Sequence, residues 1–315
     1  MARAGEEISD EAHHFIFEDD REAMKAAARR INDDGVDAVW LQHEYGIFGG
    51  ESGEYVLDLV DRIAAPLIAT LHTVLEFPSE KQETILRHII GRSSRLIVMS
   101  QRARQLLCER YGADDRLIAI IEHGAPDRPA GREARMKAAL DIEEKRPVLM
   151  TFGLLGPGKG LETAIAALPA IVSRHPDVLY RIVGATHPNL LAEQGEIYRN
   201  GLIELAEQLG VTDNIEWDNR FLETEDLLDQ LEACDIYLTP YPNLQQSTSG
   251  TLSYAVALGK AVVSTPYIHA KELLDGDIGM LVDSGDSPAI ARAVVRLLDD
   301  RCILEPDSKL SGAIS

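Results

Sequence analysis

At 315 residues, 45% hydrophobic and 26% charged, the chain has room for about two domains and the composition of an ordinary globular protein. A formal charge of −21 argues against nucleic acid or an anionic membrane as the main partner. It would also repel a phosphate-bearing ligand, unless a local cradle of amides and a cation overcomes the global field.

No apolar run approaches the roughly 20 residues of a membrane span, so no transmembrane segment is expected. No signal peptide opens the sequence, and the expected compartment is the cytoplasm. The three cysteines, Cys108, Cys234 and Cys302, are far apart and suggest neither a disulfide framework nor a zinc site. His13 and His14 have no carboxylate or thiol at ligand spacing and read as part of a solvated tail. No metal and no cofactor are expected.

Taken in order, residues 20–33 pattern as a helix with Met24, Ala27, Ala28 and Ile31 on one face, ended by Gly35. A buried strand over 36–41 runs into Gln42-His43-Glu44-Tyr45-Gly46 and then a glycine-rich loop. A helix over 54–64 leads to a strand over 67–71 that ends in His72 and Thr73. A helix over 79–90, a strand over 96–99 and a helix capped by Ser100 follow. The next strand, 117–121, ends in Glu122-His123-Gly124. Polar residues at the carboxyl ends of parallel strands are where open α/β sheets place ligands. His43, Glu44, His72 and His123 would therefore share one rim.

Residues 126–146 are charged and proline-bearing, which suggests a connection. The expected division is a first domain over 1–130, a linker over 131–146 and a second domain over 147–315. The second domain opens on an apolar strand (148–152), a loop punctuated by Gly153, Gly156, Gly158 and Gly160, and an amphipathic helix. Glycines between strand and helix let backbone N–H groups converge, the helix start favours negative charge, and Lys159 adds a cation. The element reads as an anion site, most naturally for phosphate. Gly153-x-x-x-x-Gly158-Lys159 fits the start of a Walker A loop, but Gly160 stands where a Ser or Thr hydroxyl would hold Mg²⁺. The glycines are also not spaced as a dinucleotide fingerprint.

The strand–helix alternation then continues. Strand 178–183 ends near His187, and a single helix is expected over 192–209. Strand 236–239 leads through Pro240-Tyr241-Pro242 to Gln246 and the run Thr248-Ser249-Gly250-Thr251 at the next helix start, a second anion-site candidate. Strands near 261–264 and 280–282 complete the set. The whole predicts an α/β protein with mostly parallel, doubly wound sheets.

These residues together resemble the retaining glycosyltransferases of family 4, the glycosyl transferases group 1. The resemblance covers about residues 36–300. It rests on Gly153…Lys159-Gly160, on Ala255-Val256-Ala257-Leu258-Gly259-Lys260-Ala261-Val262-Val263 followed by Glu272-Leu273-Leu274, and on Gly279-Met280-Leu281-Val282. It implies the GT-B fold, two Rossmann-like doubly wound parallel-sheet domains facing across a cleft. It further implies transfer of a mannose- or glucose-type hexose, with retention and without a metal, from a nucleotide diphosphate sugar to a carbohydrate or lipid-linked acceptor. The donor would lie against Gly153, Gly156, Gly158, Lys159, Gly160, Gln246, Ser249, Gly250 and Thr251. His72 would act near the sugar as the catalytic residue, with His43, Glu44, His123 and His187 as acceptor-side or sugar-contacting candidates.

Three positions depart from the family pattern. Leu154 stands where the family carries an arginine, and Gln246 and Tyr254 replace its paired glutamates. The first domain also reads as incomplete, as if shortened at the N-terminus. A catalytically silent GT-B scaffold that binds a sugar, nucleotide or protein partner is the alternative, and a phosphorylase or epimerase on the same fold is a third.

Overall fold

The computed structural model describes residues 16–17, 20–274 and 278–300. The His13–His14 pair, Cys302 and the C-terminal stretch 307–315 lie outside the described residues. The described residues divide into two compact units, those up to 123 with 245–248, and 124–244 with those from 249 to 300.

In the first unit, α1 (Arg21–Asp33) precedes β1 (Val39–His43), α2 (Val56–Val60), β2 (Leu67–Leu71), α3 (Glu80–Arg92), β3 (Ser93–Val98), α4 (Gln101–Glu109) and β4 (Ile118–Ile120). Its sheet runs β1-β2-β3-β4, every pair parallel. Each crossover steps the same way, and right-handed crossovers then place their helices on one face. The core confirms this: Leu41, Leu67, Ala69, Leu71, Leu96 and Val98 pack with Met24, Val56, Ile85 and Leu107 of the helices. Trp40, next to Leu41, points the other way and is 60% exposed. The first strand begins three residues later and ends two later than the hydrophobic run suggests, because β1 pairs in register from Val39↔Leu67 to His43↔Leu71.

The second unit contains α5 (Glu133–Ala139), β5 (Val148–Phe152), α6 (Leu161–Arg174), β6 (Leu179–Val183), α7 (Pro188–Gln194), α8 (Ile197–Gln208), β7 (Ile215–Asp218), α9 (Thr224–Glu232), β8 (Ile236–Thr239), α10 (Gly250–Ala257), β9 (Ala261–Ser264), α11 (Ile268–Leu273), β10 (Gly279–Leu281) and α12 (Ser287–Asp299). Strand order is β10-β9-β8-β5-β6-β7, all parallel. The chain winds outward from β5 to β7, returns beside β5 as β8, and winds the other way. Every residue of β5, β6 and β8 is buried, as a sheet covered on both faces requires. The expected helix over 192–209 is interrupted, since Gly195 takes φ +64° and separates α7 from α8.

Residues 124–146 join this unit through charge pairs. Buried Lys137 on α5 donates to both carboxylate oxygens of Asp235 (3.0 and 2.8 Å) and to the Glu144 and Arg146 carbonyls. Arg128 reaches Glu225, Asp229 and Glu232, and Lys260 reaches Glu133. Among the described residues no helix is long and apolar enough to cross a membrane. Removing a buried cation leaves its carboxylate uncompensated, so Lys137→Met is expected to cost the second unit about 3 kcal/mol in urea unfolding.

Candidate anion-binding site

The switch in winding direction of the second unit falls between β5 and β8, and the loops after these two strands meet there. Open α/β sheets bind ligands outside the carboxyl ends of strands at such a point. After β5, Gly153 has φ +123°, and a Cβ there would lie 3.0 Å from Lys159 Nζ. Gly160 has φ +63°, and its Cβ would fall 2.0 Å from the Pro240 carbonyl oxygen. Gly160 thus lets the β5 and β8 loops touch, and Gly153 leaves room for the Lys159 ammonium. Gly156 is extended and Gly158 has open space around it, so neither position demands glycine.

Between them Pro157–Lys159 forms a single 3₁₀ turn that sends Lys159 back over the β8 loop. Its ammonium donates to Tyr241 Oη at 3.0 Å and sits 4.6 Å from that ring's centroid. Tyr241 is buried and stacks on Tyr267, with centroids 5.3 Å apart. Burial pushes the Tyr241 hydroxyl pKa up, but the charge and hydrogen bond of Lys159 overcome it with help from Thr251 and Tyr237, so the net direction is down.

The Tyr241 hydroxyl lies 3.1 Å from Thr251 Oγ1, which lies 3.1 Å from Ser249 Oγ. Ser249 caps α10 by accepting from the Leu252 amide at 3.3 Å. Its own amide donates to His269 Nδ1 at 2.8 Å, so the Ser249 N–H is already taken up within the protein. Gly250 and Thr251 begin the helix, where N–H groups have no intrahelical partner. One cation, two loop backbones and a hydroxyl cluster thus converge on one point. Two other expected contributors have local roles. Half-buried Gln246 donates to the Thr248 carbonyl at 3.0 Å. Exposed His187 caps α7, and its amide donates to the Leu155 carbonyl at 2.9 Å.

In the first unit the strand-end histidines differ sharply from one another. His43 is fully buried, stacked against Phe48 (6.0 Å) and edge-on to Tyr45 (5.0 Å), with no hydrogen bond to either ring nitrogen. Burial, with a smaller push from His72, lowers its pKa to about 4. His72 is half-buried and lies 2.8 Å from Gln42 Oε1, an acceptor, which puts the proton on Nε2. Burial lowers the His72 pKa; Glu44 opposes this and His123 reinforces it, so His43, His72 and His123 lie close enough to act on one another. Glu44 accepts from the Thr73 hydroxyl at 2.6 Å and the Tyr45 amide at 2.9 Å. His72, Glu44 and His123 are therefore the half-buried residues of this set, while His43 belongs to the core.

Residues 146–300 match the family model described as glycosyl transferases group 1. The second unit belongs to the glycosyl transferases group 1. The chain is 28% identical over 287 residues to a D-inositol 3-phosphate glycosyltransferase of Corynebacterium glutamicum, covering 82% of this chain and 64% of that one. It is 30% identical over 250 residues to a phosphatidyl-myo-inositol mannosyltransferase of Mycolicibacterium smegmatis, covering 75% and 56%. The chain thus spans less than two thirds of the length of these relatives. Among solved structures, Anabaena HepE in complex with UDP aligns with TM-score 0.72 at 18% identity, over 93% of this chain and 77% of that one. Sucrose-phosphate synthase of Thermosynechococcus elongatus aligns with TM-score 0.73 at 18% identity, over 90% and 70%. These likenesses show the GT-B fold.

Within the group 1 transferase unit, Tyr241 and His269 are the site residues that motif reading missed. Only Tyr241 left a trace in sequence, as an aromatic between two prolines at a strand's carboxyl end. In the first unit, the His43 pKa carries a stability consequence. Its folded value, about 4, lies below the ordinary 6.5, so the neutral ring contributes stability that is whole above pH 6.5 and is lost as pH falls through 4. Between pH 7 and pH 4 the native chain is expected to lose about 3 kcal/mol more than His43→Phe, read by urea unfolding of the first unit. Equal losses would contradict a buried neutral His43.

Proposed function

We propose that the chain is a glycosyltransferase that moves a mannose- or glucose-type hexose from a nucleotide diphosphate sugar to a carbohydrate or lipid-linked acceptor, with retention and without a metal. The observation that carries this reading is the Lys159 ammonium, held at the switch point of a group 1 transferase unit beside the start of α10. A diphosphate is the anion that such a cradle suits, with Gly153, Gly160, Gly250 and Thr251 supplying close backbone and Thr251 a hydroxyl. HepE was crystallised with UDP and with UDP-glucose, and the curated relatives are named for glycosyl and mannosyl transfer.

In this reading the second unit binds the donor and the first supplies the acceptor side, with His72 at the reacting sugar and Glu44 beside it. The leaving β-phosphate takes the acceptor proton on the same face. The protein's work is then to position the partners and to stabilise the charge that develops on the diphosphate, which falls to Lys159 and the helix start. The bond from the sugar to the β-phosphate oxygen breaks as the bond to the acceptor oxygen forms.

Leu154, Gln246 and Tyr254 favour a second reading, a GT-B scaffold that binds a ligand without turning it over. They take a cation and two carboxylates from the family pattern. Calorimetric titration with UDP, GDP and ADP separates the two. The transferase reading expects one nucleotide to bind and Lys159→Ala to weaken it about tenfold or more, the loss of a charge-assisted contact. Binding without turnover of the matching sugar nucleotide favours the scaffold, and no binding of any nucleotide removes the donor site.

A further inference from the structure

The segment after β9, Thr265-Pro266-Tyr267-Ile268-His269, contacts the anion site from beneath through alternate residues. Thr265 Oγ1 donates to the Tyr241 carbonyl at 2.6 Å. The Tyr267 ring stacks on the Tyr241 ring at 5.3 Å and 17°. His269, 5% exposed, accepts the Ser249 amide on Nδ1 at 2.8 Å. From Ser249 a line of hydroxyls leads through Thr251 Oγ1 and Tyr241 Oη, each step 3.1 Å, to Lys159 Nζ at 3.0 Å. His269 stands at the far end of this line, beside the Tyr267 hydroxyl, and no motif singled it out.

We propose that His269 is a positioning residue for the anion site. By holding the Ser249 amide it fixes the Ser249 and Thr251 hydroxyls, and through Tyr241 it fixes where the Lys159 ammonium points. The argument is one of satisfaction: a buried N–H without an acceptor is costly, so loss of Nδ1 forces residue 249 to find another partner and shifts the hydroxyl pair. Tyr241 cannot follow the displaced hydroxyls, because Thr265 and Tyr267 hold its carbonyl and its ring; its hydroxyl then loses the Thr251 contact that sets how it receives the Lys159 ammonium. Nδ1 must stay unprotonated to accept, so a neutral acceptor of similar reach preserves the arrangement and an apolar side chain destroys it. The role of this line in nucleotide binding rests on the function proposed above; its geometry does not.

The test compares His269→Leu with His269→Asn, whose amide oxygen still offers an acceptor. Two readouts need no nucleotide: hydrogen exchange of the Ser249 backbone amide, and acylation rate of Lys159 relative to the other lysines, both by mass spectrometry. H269L is expected to speed Ser249 exchange about tenfold or more and to change Lys159 acylation, and H269N to restore most of both. Should H269L fail to fold, His269→Ala is read by the same criteria. The third readout is the affinity for the nucleotide that the native chain binds. H269L is expected to weaken it about tenfold, and to add little in a Lys159→Ala background, because both changes act through one ammonium. Unchanged exchange and acylation in the variant lacking an acceptor would overturn the proposal, as would effects of H269L and K159A that simply add. If the native chain binds no nucleotide, the donor-site reading falls, and the first two readouts still decide the role of His269.

Discussion

A lysine ammonium laid across a buried tyrosine is the contact around which the second unit's candidate anion site is built. Lys159 comes from the loop after β5, and Tyr241 from the loop after β8. Those strands are neighbours in the sheet although more than eighty residues separate the two side chains. The contact exists only because the winding reverses between them. Gly160 lets the loops close, since any Cβ there would meet the Pro240 carbonyl oxygen. The cation in turn draws the phenol's titration downward against the pull of burial, and the phenol orients the Thr251 and Ser249 hydroxyls.

This local arrangement also answers the electrostatic objection raised by the chain's net charge. A charge of −21 repels a polyanion at long range, but salt screens such repulsion within about 10 Å at ordinary ionic strength. Contacts at bonding distance are screened far less. One ammonium, the first amides of α10 and a set of hydroxyls can therefore outweigh the distant carboxylates. Many of those carboxylates are also already paired. Glu225, Asp229 and Glu232 face Arg128, and Asp235 faces Lys137, so the acidic surface of α9 binds its own chain segment.

The two sheets differ in how they wind. The second winds both ways from β5, is covered on both faces, and has a switch point where backbone from two loops converges. Among the described residues the first winds one way only, with its helices on one face and without a reversal. Its candidate residues lie at strand ends, where His72 and Glu44 are half-buried and His43 is buried. Burial separates the three histidines into one core residue and two that are half-buried.

Much of this was legible in the chain. Alternating strand and helix periods announced a parallel α/β architecture, because each period reflects a local geometry that a few residues set for themselves. The 153–160 loop and its lysine were equally plain, as were the histidines at strand ends. The shift of the first strand to residues 39–43, the break at Gly195 and the helix inside 124–146 were not, because register, a positive φ and ion pairing with α9 depend on distant partners. Nor could a motif show that the Ser249 amide turns inward to His269, that His43 is core, or that Tyr241 receives Lys159. The sequence by itself determined the residue types and their local conformations, which follow from side-chain sterics and hydrophobic period. Only the tertiary structure decided which strands became neighbours, and hence which polar groups meet, because those pairings depend on the order of the sheet.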